Sequence, residues 1–168
     1  MDQIPPGHPT SWVPAGVPTT ARYKEPGDVV PRFTLDMFKN GYSGALAVMT
    51  YYFDAVNWDA ATGATPSIFS SFCPSACDQE TQSSRERSNN GEHYSGGRYL
   101  PGSPTLVRPP ASHHATWAGQ FDVTVGAGRL VSATGRTVKT FQKSRISLEL
   151  DASFNGKVWN VVEIYFVK

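Results

Sequence analysis

The segment from Ser43 to Gly63, SGALAVMTYYFDAVNWDAATG, constrains what this chain can fold into more than any other stretch. Leu46, Met49, Phe53, Val56 and Ala60 recur at spacings of three and four, which sets them on one helical stripe. Ala45, Val48, Tyr52 and Ala55 form an adjoining stripe, so the apolar face is wide enough to lie across a sheet, while Asp54, Asn57 and Asp59 fall mostly outside it. Ser43 reads as the N-cap and Gly63 as the C-cap. Behind this helix stand two cysteines and then a C-terminal half built almost wholly of strand signals. Pattern speaks to fold here far more than to function, because no constellation of side chains specifies a reaction.

At 168 residues the chain has the length of one domain able to bury a core. Fifteen basic and 14 acidic residues leave a net charge of +1, which gives no electrostatic footprint for nucleic acid or an anionic membrane. No apolar run approaches the roughly 18 residues that a membrane-spanning helix needs. The first residues lack the basic and apolar regions of a signal peptide, so the expectation is that any such segment, with its lipid anchor, is absent from this chain.

Residues 1–31 hold Pro5, Pro6, Pro9, Pro14, Pro18, Pro26 and Pro31 among few apolar residues, and read as an extended, flexible tether ahead of a domain spanning 32–168. Trp12 and Val13 are the tether residues able to dock back on that domain. Phe33, Leu35, Met37 and Phe38 form a lead-in beneath the main helix. Two further helices are expected over Pro66 to Phe72 and Ser75 to Ser88, the second stopping at Asn89-Asn90-Gly91.

From Tyr94 the hydrophobic period falls to two, and strands are expected over 95–100, 105–108, 116–125, 129–133, 137–141, 144–154 and 157–167. Asn155-Gly156 reads as a two-residue hairpin turn, and Gly126-Ala127-Gly128 as a chain reversal. Val158, Val162, Ile164 and Phe166 fall on one face of the last strand, with Trp159, Val161 and Tyr165 on the other. Helices followed by a bent antiparallel sheet make an α+β domain.

Helices first, then a sheet closing in a long hairpin that ends Trp159-Asn160-Val161-Val162-Glu163-Ile164, resembles the cone-shaped fold of the nuclear transport factor 2-like (NTF2-like) superfamily, with about three N-terminal helices packed on one curved sheet. More narrowly, Tyr51 to Trp58 (YYFDAVNW), Ala61-Thr62-Gly63-Ala64-Thr65, the pair Cys73 and Cys77, and Gly96-Gly97-Arg98 are similar to an actinobacterial cell-surface lipoprotein domain family of unknown function. That resemblance covers roughly residues 41–167. It implies an extracellular or cell-surface protein whose precursor is lipid-anchored ahead of a proline-rich tether, and it supplies no catalytic residues.

In an exported chain, Cys73 and Cys77 read as a disulfide pinning the second helix to the third, since Pro74 puts the first cysteine ahead of that helix. A redox pair lacks a preceding thioredoxin-like strand, and zinc would need ligands beyond His93, the nearest histidine. His113 and His114, being adjacent, point to opposite sides of a loop or strand. Tyr51, Tyr52, Asp54, Trp58, Asp122 and Glu149 are the groups able to reach the mouth of a cone, and a carboxylate beside a tyrosine can move protons there. Asp54 with Tyr51 or Tyr52 is the weak catalytic candidate; Trp58, Trp159 and Tyr165 are candidate cavity or interface residues. No cofactor and no metal is expected. The reading is a non-enzymatic exported or cell-surface binding domain whose partner is a protein, a cell-wall component or a small apolar ligand. The alternatives are a small cavity enzyme of isomerase or hydrolase type using a buried carboxylate, and a structural domain that dimerises through its sheet.

Overall fold

A computed structural model of the chain describes residues 9–108 and 116–167; His113 and His114 lie outside the described residues. The long apolar pattern forms helix α1, Tyr42–Thr62. Gly63 closes it in the left-handed conformation (φ 81°) that its lack of a Cβ permits. Its N-cap is Gly41 rather than Ser43, which sits inside the first turn. Burial runs nearly all round α1, from Ala45, Val48 and Met49 through Tyr51, Tyr52 and Phe53 to Trp58 and Ala61. The helix is covered by the sheet on one side and by the residues flanking it in sequence on the other.

Those flanking residues include the proline-rich segment read above as a free tether. Over its described part this segment lies along the domain. Strand β1 (Ser11–Trp12) pairs with β2 (Phe33–Thr34), and the Trp12 ring stacks on Phe38 at 5.3 Å between centroids. Trp58 Nε1 donates to the Pro18 carbonyl (2.7 Å) and the Tyr23 amide to that of Ala61 (2.6 Å). Asp28, 3% exposed in its side chain, takes Arg98 Nε at 3.0 Å. Prolines leave such a stretch extended and poor in its own hydrogen bonds, so its amides and carbonyls are free to bond the neighbouring helix.

The fold is not the expected cone of three helices on one sheet. Among the described residues there are two α-helices, α1 and α2 (Asp78–Asn90), set against strands that divide into a two-, a five- and a three-stranded antiparallel sheet. The helix expected over 66–72 is a single 3-10 turn, Pro66–Phe69. Pro74 disfavours helical backbone at Cys73, and a segment too short to propagate a helix has nothing to extend into. Cys73 and Cys77 are bonded to each other, buried, with their Cα atoms 5.4 Å apart, and α2 starts only after them.

The five-stranded sheet runs β10 (Trp159–Val167), β9 (Ser144–Phe154), β6 (Thr116–Val125), β4 (Tyr99–Pro101), with β5 (Thr105–Arg108) also pairing β6. The three-stranded sheet is β3 (His93–Gly96), β7 (Gly128–Val131) and β8 (Thr137–Phe141). The two meet at a corner across which the register is unbroken: Gly96 faces Gly128 and Tyr99 faces Val125, while Gly128 faces Phe141 and Val125 faces Ser144. Gly126-Ala127-Gly128 therefore bends the chain and does not reverse it. Glycine is required at this corner, because Gly96 has φ 74° and a Cβ on Gly128 would stand 2.7 Å from the Gly96 carbonyl carbon.

Two details of the last hairpin also differ from expectation. Phe154 and Trp159 are its last pair, so four residues make the connection, with the Asn155 carboxamide oxygen accepting from the amides of Lys157 (3.0 Å) and Val158 (2.9 Å). A bulge between Val161 and Glu163 then shifts the alternation. Trp159 and Val161, ahead of the bulge, are fully buried on the inner face, whereas Val162 at the bulge and Tyr165 beyond it are exposed.

Candidate functional site

A cavity of about 590 Å³ lies where α1 and α2 pass beneath the sheet corner. Leu148 and Ile164 form part of its floor, Tyr52, Val56 and Ala60 of α1 one wall, and Glu80, Ser83 and Arg87 of α2 another. Tyr94, Tyr99 and Phe141 close it from the corner. The stripe of α1 read as core is thus shared: Met49 and Phe53 enter the core, and Val56 and Ala60 face the cavity.

Several of the polar groups are held by identifiable bonds. The Tyr52 hydroxyl donates to Glu80 Oε1 at 2.8 Å. Asn57 clamps the backbone of Tyr99, its Nδ2 donating to the Tyr99 carbonyl (2.8 Å) and its Oδ1 accepting from the Tyr99 amide (2.9 Å). Asp59 accepts from the Thr65 amide (2.5 Å), Ser84 Oγ (2.6 Å) and Arg87 Nη2 (2.5 Å), so one carboxylate ties the 3-10 turn and α2 to α1. The Arg87 guanidinium also lies over the Tyr94 ring, 4.7 Å from its centroid.

Burial, together with the Glu80 charge, pushes the Tyr52 phenol well above its ordinary range and raises that of Tyr99. Both stay protonated donors. Burial also pushes the Asp59 carboxyl up, against the opposing pull of Ser84, Arg87 and Thr65.

No family model matches the chain, and no curated protein does.

The residues singled out from sequence fall in different places. Tyr52 lines the cavity, but Tyr51 and Asp54 do not. Tyr51 packs its ring against Phe33 (5.0 Å) and Phe72 (4.6 Å), with burial raising its phenol. Asp54 is half-buried, and desolvation pushes its carboxyl up to about 6. Trp58 and Trp159 are core anchors, each donating its indole N–H to a backbone carbonyl, of Pro18 and of Lys39 (2.8 Å) respectively. Tyr165 is 45% exposed and donates to Glu163. Asp122 accepts from Ser147 Oγ and lines a separate hollow between Leu100 and Phe166. Among the described residues no group of three or more His, Cys, Asp or Glu side chains stands together, and no helix is long and apolar enough to cross a membrane.

Sequence reasoning did not find Glu80, Arg87, Tyr94, Tyr99 or Phe141. They come from α2, β3, β4 and β8, and no spacing joins them. The one available signal was Arg87 within α2, a helix otherwise almost without apolar residues, where a buried face has to be polar.

Proposed function

We propose that this chain is a non-enzymatic binding domain, exported or displayed at a cell surface, that takes a small and largely apolar ligand into the cavity beneath the sheet corner. The cavity itself carries the reading. Its volume, about 590 Å³, is that of a small-molecule site, and its wall combines apolar and aromatic side chains with a few fixed polar groups. Catalysis has less support. Asp54, whose carboxyl at about 6 suits proton transfer, is not among the lining residues, and the Tyr52 phenol beside Glu80 is held protonated. A buried disulfide in so short a loop supports residence in an oxidising compartment. With Trp159 and Val161 buried, the sheet face offered for dimerisation loses two of its three large side chains.

The test is displacement of an apolar fluorophore from the wild-type chain and from Ala60→Trp, which fills the cavity from α1. Saturable binding lost in the variant, with its unfolding midpoint within a few degrees of wild type, is the expected result. Equal binding by both chains, or none by either, would reject the cavity as the site.

A further inference from the structure

We infer that the cavity, taken as the ligand site proposed above, selects an organic ammonium ion whose charged head sits beside Glu80 and against the rings of Tyr52 and Tyr99. The inference rests on the charge inventory of the wall. Its charged side chains are Asp59, Glu80 and Arg87. Asp59 and Arg87 neutralise each other at 2.5 Å, which leaves Glu80 as the net charge. Among the described residues no ion pair includes Glu80; the partner of its Oε1 is the Tyr52 hydroxyl, a neutral donor that orients the carboxylate without cancelling it.

A neutral apolar occupant would strip water from that carboxylate and return nothing to it, a heavy penalty for a charge. A cation with an apolar body satisfies both the carboxylate and the rings. Aromatic faces attract cations through their quadrupoles, and the guanidinium of Arg87 over Tyr94 shows the wall already using that attraction once. Tyr99 is presented in advance, because Asn57 fixes its backbone from both sides. Glu80 and Tyr52 are likewise locked by their mutual bond. An anion would meet an uncompensated carboxylate, and a metal ion would find a single free carboxylate where it needs several ligands.

Benzyltrimethylammonium, benzylamine and the neutral isostere neopentylbenzene, titrated into the full chain and followed by NMR, separate the possibilities. The expected result is that at least one ammonium binds tenfold or more tightly than neopentylbenzene, a ratio worth about 1.4 kcal/mol. Which ammonium wins tells a quaternary from a primary amine site. In Glu80→Gln, whose side-chain oxygen still accepts from Tyr52, that advantage should shrink to less than about threefold. Nuclear Overhauser contacts from the ligand's N-methyl or methylene protons to the Tyr52 and Tyr99 rings are expected in wild type, a readout independent of how the variant folds. Equal affinity for the neutral isostere, an undiminished ammonium preference in Glu80→Gln, or absent ring contacts would each overturn the ammonium inference while leaving a cavity ligand standing. Failure of all three probes to bind overturns both.

Discussion

Replacing Arg87 by methionine strands the Asp59 carboxylate inside the protein. The side chains are 10% and 3% exposed, and the pair is 2.5 Å apart, so the variant deletes the one cation bonded to a nearly dry charge. Removing one member of a buried pair typically costs about 3–5 kcal/mol. Two features of this site reduce that. Thr65 N–H and Ser84 Oγ still donate to Asp59, and methionine preserves most of the apolar contact that the arginine stem makes. We expect about 2–3 kcal/mol, which for a chain of this length lowers the melting temperature by roughly 5–10 °C.

Urea unfolding of wild type, Arg87→Met, Asp59→Asn and the double variant measures the coupling directly. The double variant should recover about half of the Arg87→Met loss, since it no longer buries a lone charge. An Arg87→Met penalty below about 0.5 kcal/mol, or a double variant no better than the single, would refute the reasoning that this ion pair, beside the Ser84–Asp59 and Tyr52–Glu80 bonds, helps hold α2 on α1. The same loss should loosen the cavity wall, because Glu80 rides on α2.

For Asp54, the folded carboxyl titrates near 6 against an ordinary 3.8, so the folded state holds the proton more tightly and stability falls as pH rises between those values. After discounting for its solvent contact, Asp54→Asn should be more stable than wild type by about 1–2 kcal/mol at pH 8 and indistinguishable below pH 4; a pH-independent difference rejects burial as the cause. Gly128→Ala forces a Cβ onto the Gly96 backbone and should cost about 1–3 kcal/mol, with lost amide protection concentrated in β3, β7 and β8; uniform protection would show that the corner is not glycine-dependent. Replacing Cys73 and Cys77 together by serine should cost about 2 kcal/mol, the loop-closure value for so short a ring, read as a melting shift of roughly 4–8 °C. A shift above 15 °C would mean the bond does more than close its loop.

The one-dimensional pattern located the main helix and most of the long strands. Helix α1 ends at its expected Gly63 cap and starts two residues earlier than expected, while strands 105–108, 116–125, 137–141 and 144–154 emerge at the bounds the periodicity implies. Helix α2 was harder, since Asp78–Asn90 buries only Ser84 and Arg87 and so carries no apolar rhythm. The bulge at Val162 defeated the alternation in β10, because inserting one residue moves every later side chain to the other face. The corner was invisible as well. Gly96 and Gly128 are legible as glycines, but that they face one another depends on pairing between strands far apart in sequence.

The amino-acid order thus determined by itself the main helix and most of the long strands, and that two cysteines stand close enough to bond, since these depend on neighbours within a few residues. Tertiary structure alone decided that the proline-rich segment lies along α1, that the sheet breaks into separate ladders at a glycine corner, and that Glu80, Tyr52 and Tyr99 share one cavity. Those outcomes rest on contacts between residues tens of positions apart, such as Tyr52 with Glu80 and Asp28 with Arg98, and no local spacing records which distant partner a buried charge or hydroxyl will find.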